Sequence, residues 1–115
     1  MMITLYHNPR CSKSRQTLAL LEQQGISPEI VLYLETPPSA QDLKSLLDKL
    51  SYAPRQLLRR GEDLYQSLGL ARAELSDEEL IQAMVKHPIL IERPIVINGA
   101  KAALGRPPEQ VLDIL

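Results

Sequence analysis

The stretch Tyr6-His7-Asn8-Pro9-Arg10-Cys11-Ser12-Lys13-Ser14-Arg15 decides how the rest of the chain is read. An apolar run, Met2-Ile3-Thr4-Leu5-Tyr6, leads into it, and a helical pattern opening near Ser12 leads out. The order is strand, tight loop and helix, with the Cys11 thiol where the helix begins. A helix N-terminus presents unpaired backbone N–H groups and a partial positive charge. Both favour a thiolate and lower a cysteine pKa from its free value of about 8.5. A lone cysteine in a small domain is often a buried small hydrophobe, but Asn, Pro, Arg, Ser and Lys crowd this one. So polar a neighbourhood suits a reactive thiol better than a core residue.

A length of 115 residues suits one domain, 1–115, with room for a core. A hydrophobic fraction of 44% points to a globular chain, and a net charge of −1 offers no basic footprint for nucleic acid or anionic membrane. There is no Trp and no Phe, so leucine and the β-branched residues must build the core. One cysteine excludes an intramolecular disulfide, and neither a cysteine-rich zinc site nor a bound cofactor is expected. The first residues lack the charged and apolar regions of a signal peptide. No run approaches the roughly 20 apolar residues of a membrane span. The cytoplasm, where thiols stay reduced, is the expected compartment.

Outward from the loop, a helix is expected from Ser12 to about Gln24, with Leu18 and Leu21 facing the core and Gly25 as its stop. Glu29-Ile30-Val31-Leu32-Tyr33 reads as a second strand, parallel to a first strand that is apolar on both faces and so central. Ser39 caps a helix that has Asp42 at N3 and a Leu43, Leu46, Leu47, Leu50 stripe. Short helices are expected from Arg55 to Arg60 and from Glu62 to Leu68. Ser76-Asp77-Glu78-Glu79 forms a capping box ahead of a helix burying Leu80, Ile81, Met84 and Val85, and Pro88 stops it after His87. A closing helix from Pro108 to about Ile114 should carry Val111, Leu112 and Leu115 inward. The sum is α/β, with the order β-α-β, an inserted helical region, then β-β-α: a thioredoxin-like fold with a mixed central sheet.

Asn98-Gly99 between apolar runs signals a type I′ hairpin. With a two-residue turn there, Ile97 pairs with Ala100 and paired positions sum to 197. Arg93 then lies opposite Leu104, with Arg106 two residues further along and on the same face. Each arginine precedes a proline, which restricts it to extended backbone. Held together they would form a fork for a tetrahedral oxyanion; held apart they are solvated edge residues.

Several further runs stand beside the Cys11 loop: Leu32-Tyr33-Leu34-Glu35-Thr36-Pro37-Pro38, Leu57-Leu58-Arg59, Tyr65-Gln66-Ser67-Leu68-Gly69-Leu70, and His87-Pro88-Ile89-Leu90-Ile91-Glu92-Arg93-Pro94-Ile95-Val96. Together they resemble the glutaredoxin-dependent arsenate reductase family over essentially the whole chain. The resemblance implies Cys11 as nucleophile, with His7 and Ser14 as the groups that tune it. It implies Arg59, Arg93 and Arg106 as oxyanion-binding arginines, and Pro94 as the cis-proline of thioredoxin-like proteins. Arsenate would be the substrate, glutathione a co-substrate and glutaredoxin a partner, with arsenite released. Cys11 has no resolving partner within the chain, so an outside thiol is required. Two other readings stand beside this one. One is a thiol oxidoreductase of the same fold acting on another oxyanion or a glutathionylated substrate. The other is an Spx-like regulator that binds RNA polymerase, although Ser14 stands where its Cys-x-x-Cys switch needs a second cysteine.

Overall fold

Short apolar runs build the sheet. In the computed structural model, which describes residues 2–115, β1 (Ile3–Tyr6) alternates buried Ile3 and Leu5 with half-buried Thr4 and Tyr6. It pairs in parallel with β2 (Glu29–Val31) and antiparallel with β3 (Ile95–Asn98), and β4 (Lys101–Leu104) completes the order β2-β1-β3-β4. The fold is α/β with a mixed four-stranded sheet in thioredoxin-like order, and β1 is central, as its apolar faces require. No helix of the described residues is long and apolar enough to cross a membrane.

The chain divides into two compact units, residues 1–36 with 93–115, and residues 37–92. The first holds the sheet, α1 (Ser12–Gln23) and a closing 3₁₀ segment (Pro108–Ile114). Its core is Ile3, Leu5, Leu21, Val96 and Val111, with Leu18, Ile26 and Ile114 among the side chains packed against it. Helix α1 ends in a Schellman pair, Gly25 N–H to the Glu22 carbonyl and Ile26 N–H to the Leu21 carbonyl, both 3.0 Å. The closing segment departs from the reading above: Leu112 and Leu115 are exposed, while Val111 and Ile114 face the core. A 3₁₀ segment has three residues per turn, so positions i and i+3 share a face.

Strand β2 is shorter than expected. The backbone turns at Leu32, whose carbonyl accepts the N–H groups of Glu35 and Thr36, each at 2.9 Å. Tyr33 is buried just beyond the strand and its ring stacks on Tyr6, with centroids 6.5 Å apart.

The hairpin register is also corrected. Asn98 pairs with Lys101 and Ile95 with Leu104, so paired positions sum to 199 and the turn residues are Gly99 and Ala100. Gly99 has φ of 63° at the first turn position, where a type II′ turn calls for glycine. Asn98 is kept in the strand because its side-chain amide donates to the Ile114 carbonyl at 2.6 Å.

The second unit contains α2 (Ala40–Leu50), α3 (Pro54–Leu57), α4 (Asp63–Ser67), α5 (Asp77–Lys86) and a 3₁₀ turn (Pro88–Leu90). Reciprocal capping boxes open α2 and α5, Ser39 with Asp42 and Ser76 with Glu79, with bonds of 3.1 to 3.2 Å. Helix α2 buries Leu43, Leu46, Leu47 and Leu50 and packs on α5, which buries Leu80, Ile81 and Met84 while Val85 is half-buried. Each buried leucine contributes roughly 1.5–3 kcal/mol of transfer free energy. Helix α3 stops at Leu57 rather than Arg60. Leu58 leaves it to bridge Ile91, with Arg59 N–H on the Leu90 carbonyl (2.7 Å) and Glu92 N–H on the Leu57 carbonyl (2.8 Å).

Candidate active site

Asn8 is the pivot of the loop between β1 and α1. Its N–H donates to Ser14 Oγ, its carbonyl accepts the Cys11 N–H, and its Oδ1 accepts the Arg10 N–H, each at 3.0 Å. The last bond is an Asx-turn, the local alternative to regular structure that asparagine offers. Ser14 Oγ lies 2.6 Å from His7 Nδ1, and the His7 N–H donates to the Val31 carbonyl at 2.9 Å. Arg15 Nη1 reaches back to the Pro9 carbonyl at 2.8 Å. His7, Asn8 and Ser14 are all buried, and buried polar groups must be paired; here they pair with one another. The loop is therefore held at both ends, and His7 with Ser14 fastens the first turn of α1 to the end of β1.

Cys11 stands at the N-cap of α1, half-buried, with φ −94° and ψ 123°; its carbonyl accepts the first helical N–H, from Arg15, at 3.0 Å. Burial by itself pushes the thiol up. It is outweighed by the Ser14 N–H, by the Arg93 guanidinium through both its charge and a hydrogen bond, and by the Lys13 N–H. The net result is a thiol below its ordinary value, richer in thiolate than free cysteine at the same pH. Burial, and then the charge of Arg15, hold His7 below the usual histidine value, so its imidazole is neutral at pH 7. The thiolate is thus stabilised by amides and by Arg93, and the Ser14 hydroxyl serves the loop rather than the sulfur.

Arg93 reaches this thiol from the start of the hairpin. Among the described residues its Nε and Nη1 are buried and have no hydrogen-bond partner. The corrected register makes the pairing of the two hairpin arginines more direct than expected, since 93 and 106 also sum to 199. Gly105 N–H donates to the Pro94 carbonyl at 2.9 Å, and Arg106 Nη1 donates to the Arg93 carbonyl at 3.2 Å. The Arg93–Pro94 and Arg106–Pro107 peptide bonds are both cis, the second not anticipated from the sequence. Gly105 has no room for a side chain: a Cβ there would sit 2.5 Å from Thr17 Oγ1 and 2.7 Å from Pro94 Cγ. Its close approach lets the backbone just beyond β4 pass against Thr17 of α1 and against Pro94.

Arg59 belongs to the helical unit. There its Nε pairs with Glu62 at 3.2 Å and, more distantly, with Glu92 at 3.8 Å. The structure therefore unites Cys11, His7, Ser14, Arg93, Pro94 and Arg106 in one unit and places Arg59 in the other.

The sequence profile of the ArsC family matches residues 6–114. The chain belongs to the ArsC family. An Escherichia coli K12 protein named "Uncharacterized protein YfgD" is 58% identical over 98% of this chain and 96% of its own length. A Haemophilus influenzae protein named arsenate reductase is 54% identical over the whole of both chains. A solved structure named arsenate reductase, from Vibrio cholerae, superposes with a TM-score of 0.98 at 54% identity, covering 100% of this chain and 98% of that one.

For this ArsC chain, the contacts through which three loop residues act escaped the sequence reading. Asn8 was signalled by the Asn-Pro turn dipeptide. Lys13 and Arg15 act through a backbone N–H and a long-reaching guanidinium, which residue type alone does not disclose.

Proposed function

We propose that this protein is an arsenate reductase that uses the Cys11 thiolate as nucleophile and draws its reducing thiols from outside the chain. One observation carries the reading: the Cys11 thiol sits among helix N-terminal amides and under Arg93, whose Nε and Nη1 are buried without a partner among the described residues. Two buried guanidinium N–H groups beside a thiolate suit a tetrahedral oxyanion that must be held while sulfur attacks it. The names carried by relatives at about half identity support arsenate as that oxyanion.

In this mechanism arsenate enters as a dianion and Arg93 offsets its charge. Arg106 serves as a second oxyanion-binding arginine, and Arg59 is assigned as the third on the resemblance alone. The thiolate forms an S–As bond and the arsenate hydroxyl, taking up a proton from solvent, leaves as water, giving an arseno-cysteine. Glutathione and then glutaredoxin supply two thiols that end as one disulfide. Their two electrons take arsenic from the pentavalent to the trivalent state, and water then displaces sulfur from arsenic, so that arsenite departs and Cys11 returns to thiolate. His7 and Ser14 are positioning residues that keep the Ser14 N–H on the sulfur. No bound cofactor takes part, and the cytoplasm, with its glutathione pool, is the compartment.

The test is turnover of arsenate with glutathione, glutaredoxin and NADPH-coupled recycling, with arsenite measured directly. Arsenite production that disappears in Cys11→Ser is expected. Absence of turnover in the wild type, beside an active reference reductase, would refute arsenate as substrate and leave another oxyanion or a glutathionylated substrate.

A further inference from the structure

The dipeptide Asn98-Gly99 carries a chemistry that the site at Cys11 does not use. Asparagine followed by glycine is prone to deamidation, because no side chain on the second residue hinders its nitrogen from reaching the asparagine carboxamide. The fold treats the two residues differently. Gly99 is exposed and turns with φ of 63°. Asn98 is paired on both sides, with Ile3 of β1 and with Lys101 of β4. Its Nδ2 donates to the Ile114 carbonyl at 2.6 Å, while its Oδ1 is buried and has no hydrogen-bond partner among the described residues.

In the reaction, the Gly99 nitrogen gives its proton to a solvent base and bonds to Asn98 Cγ. The Cγ–Nδ2 bond breaks, and Nδ2 takes a proton from water and leaves as ammonia. Water then opens the cyclic imide at either carbonyl, which leaves aspartate or isoaspartate at position 98. The contacts of Asn98 oppose each step. The doubly paired strand restrains its backbone, Oδ1 has no donor to steady the charge that builds on it, and the Ile114 carbonyl only accepts, so it cannot protonate the leaving nitrogen. That carbonyl belongs to the closing segment (Pro108–Ile114), which packs on α1 and β4 and buries Val111. We propose that Asn98 is a deamidation site gated by this segment, closed while the segment is docked and reactive when it lifts and admits water. The change runs one way, because a carboxylate at position 98 offers the Ile114 carbonyl no N–H and sets oxygen against oxygen. It is independent of the anion taken by Cys11.

The experiment follows the whole protein at mildly alkaline pH by peptide mapping, scoring the imide and the exchange of NH2 for OH at position 98. Deamidation at least about tenfold slower than in a free peptide of residues 95–102 is expected, as a reactive state populated less than about a tenth of the time requires. Val111→Ala loosens the docked segment and should raise the protein's rate about fivefold or more. Leu80→Ala, in the helical unit, should leave that rate unchanged. In Asn98→Asp, hydrogen exchange at the amides of residues 110–115 should be about two- to tenfold faster than in the wild type, the effect of losing one hydrogen bond. A wild-type rate equal to that of the peptide overturns the proposal, as does a rate that Val111→Ala fails to raise. Equal acceleration by Leu80→Ala would assign the reaction to global unfolding and overturn the gate. Unchanged exchange in Asn98→Asp would overturn the one-way release.

Discussion

The two units bury different chemistry. In residues 37–92, α2 and α5 bury Leu43, Leu46, Leu47, Leu50, Leu80, Ile81 and Met84, one apolar stripe facing another. In the sheet unit, His7, Asn8, Ser14 and Thr17 are buried around the start of α1, and His7, Asn8 and Ser14 satisfy one another. Arginine is used differently too. Arg59 faces two carboxylates, whereas Arg93 lends its charge to a thiol. An apolar stripe tolerates small adjustments, but a closed polar network fails when one partner is lost. Stability resides in the first pattern and reactivity in the second.

That division can be broken by mutation, beginning with the strongest blow. Cys11→Ser should abolish arsenite production, a loss of more than about 10³-fold, while leaving the urea midpoint near the wild-type value. Arg93→Ala should lower turnover by about 10²-fold, of the order seen when one preorganised oxyanion donor is removed, and move the pH midpoint of Cys11 alkylation upward. The direction follows from the loss of both a charge and a hydrogen bond that favour the thiolate. A midpoint unchanged in the variant would place the control of the thiol in the amides alone.

On the other side of the comparison, Leu80→Ala should cost about 2–5 kcal/mol of unfolding free energy and leave the alkylation midpoint untouched. Ser14→Ala should cost about 1–3 kcal/mol, because it strands the buried His7 nitrogen and Asn8 N–H. Unlike Leu80→Ala, it should also disturb the alkylation profile. The smallest effect concerns pH. The folded His7 resists protonation, so its contribution to stability is complete above the ordinary histidine value of about 6.5 and is lost as pH falls below it. Denaturation at pH 7 and pH 5 should show a smaller drop for His7→Gln than for the wild type.

Much of the helical unit was readable from the sequence because its signals are local. Ser39 with Asp42, Ser76 with Glu79, and the leucine stripe of α2 lie where spacing placed them. Misreadings occurred where a distant group competed with a local rule. Asn98-Gly99 resembles the centre of a turn, but the Ile114 carbonyl holds Asn98 in β3 and shifts the ladder by one residue. Leu58 and Arg59 continue a helical pattern, yet their backbone pairs with residues 90–92. The Pro108 segment keeps its place but changes pitch, which turns Leu112 and Leu115 outward. Around the thiol, residue types announced Cys11 and the arginines. The close packing of Thr17 on Gly105 is a tertiary contact that no local pattern encodes, whereas the Asn8 turn is a local one.

The hairpin also acts as a ruler. Arg93 and Arg106 each stand six positions from the turn residue nearest them, Gly99 or Ala100, both of which are exposed. Lengthening the tip leaves the count along each strand intact, so a reporter peptide inserted between Gly99 and Ala100 should keep both arginines in place. A single residue added within β3 would break the count and turn side chains on one side of the insertion to the opposite face. The tip is therefore an attachment point for probes, and the strand beside it is not.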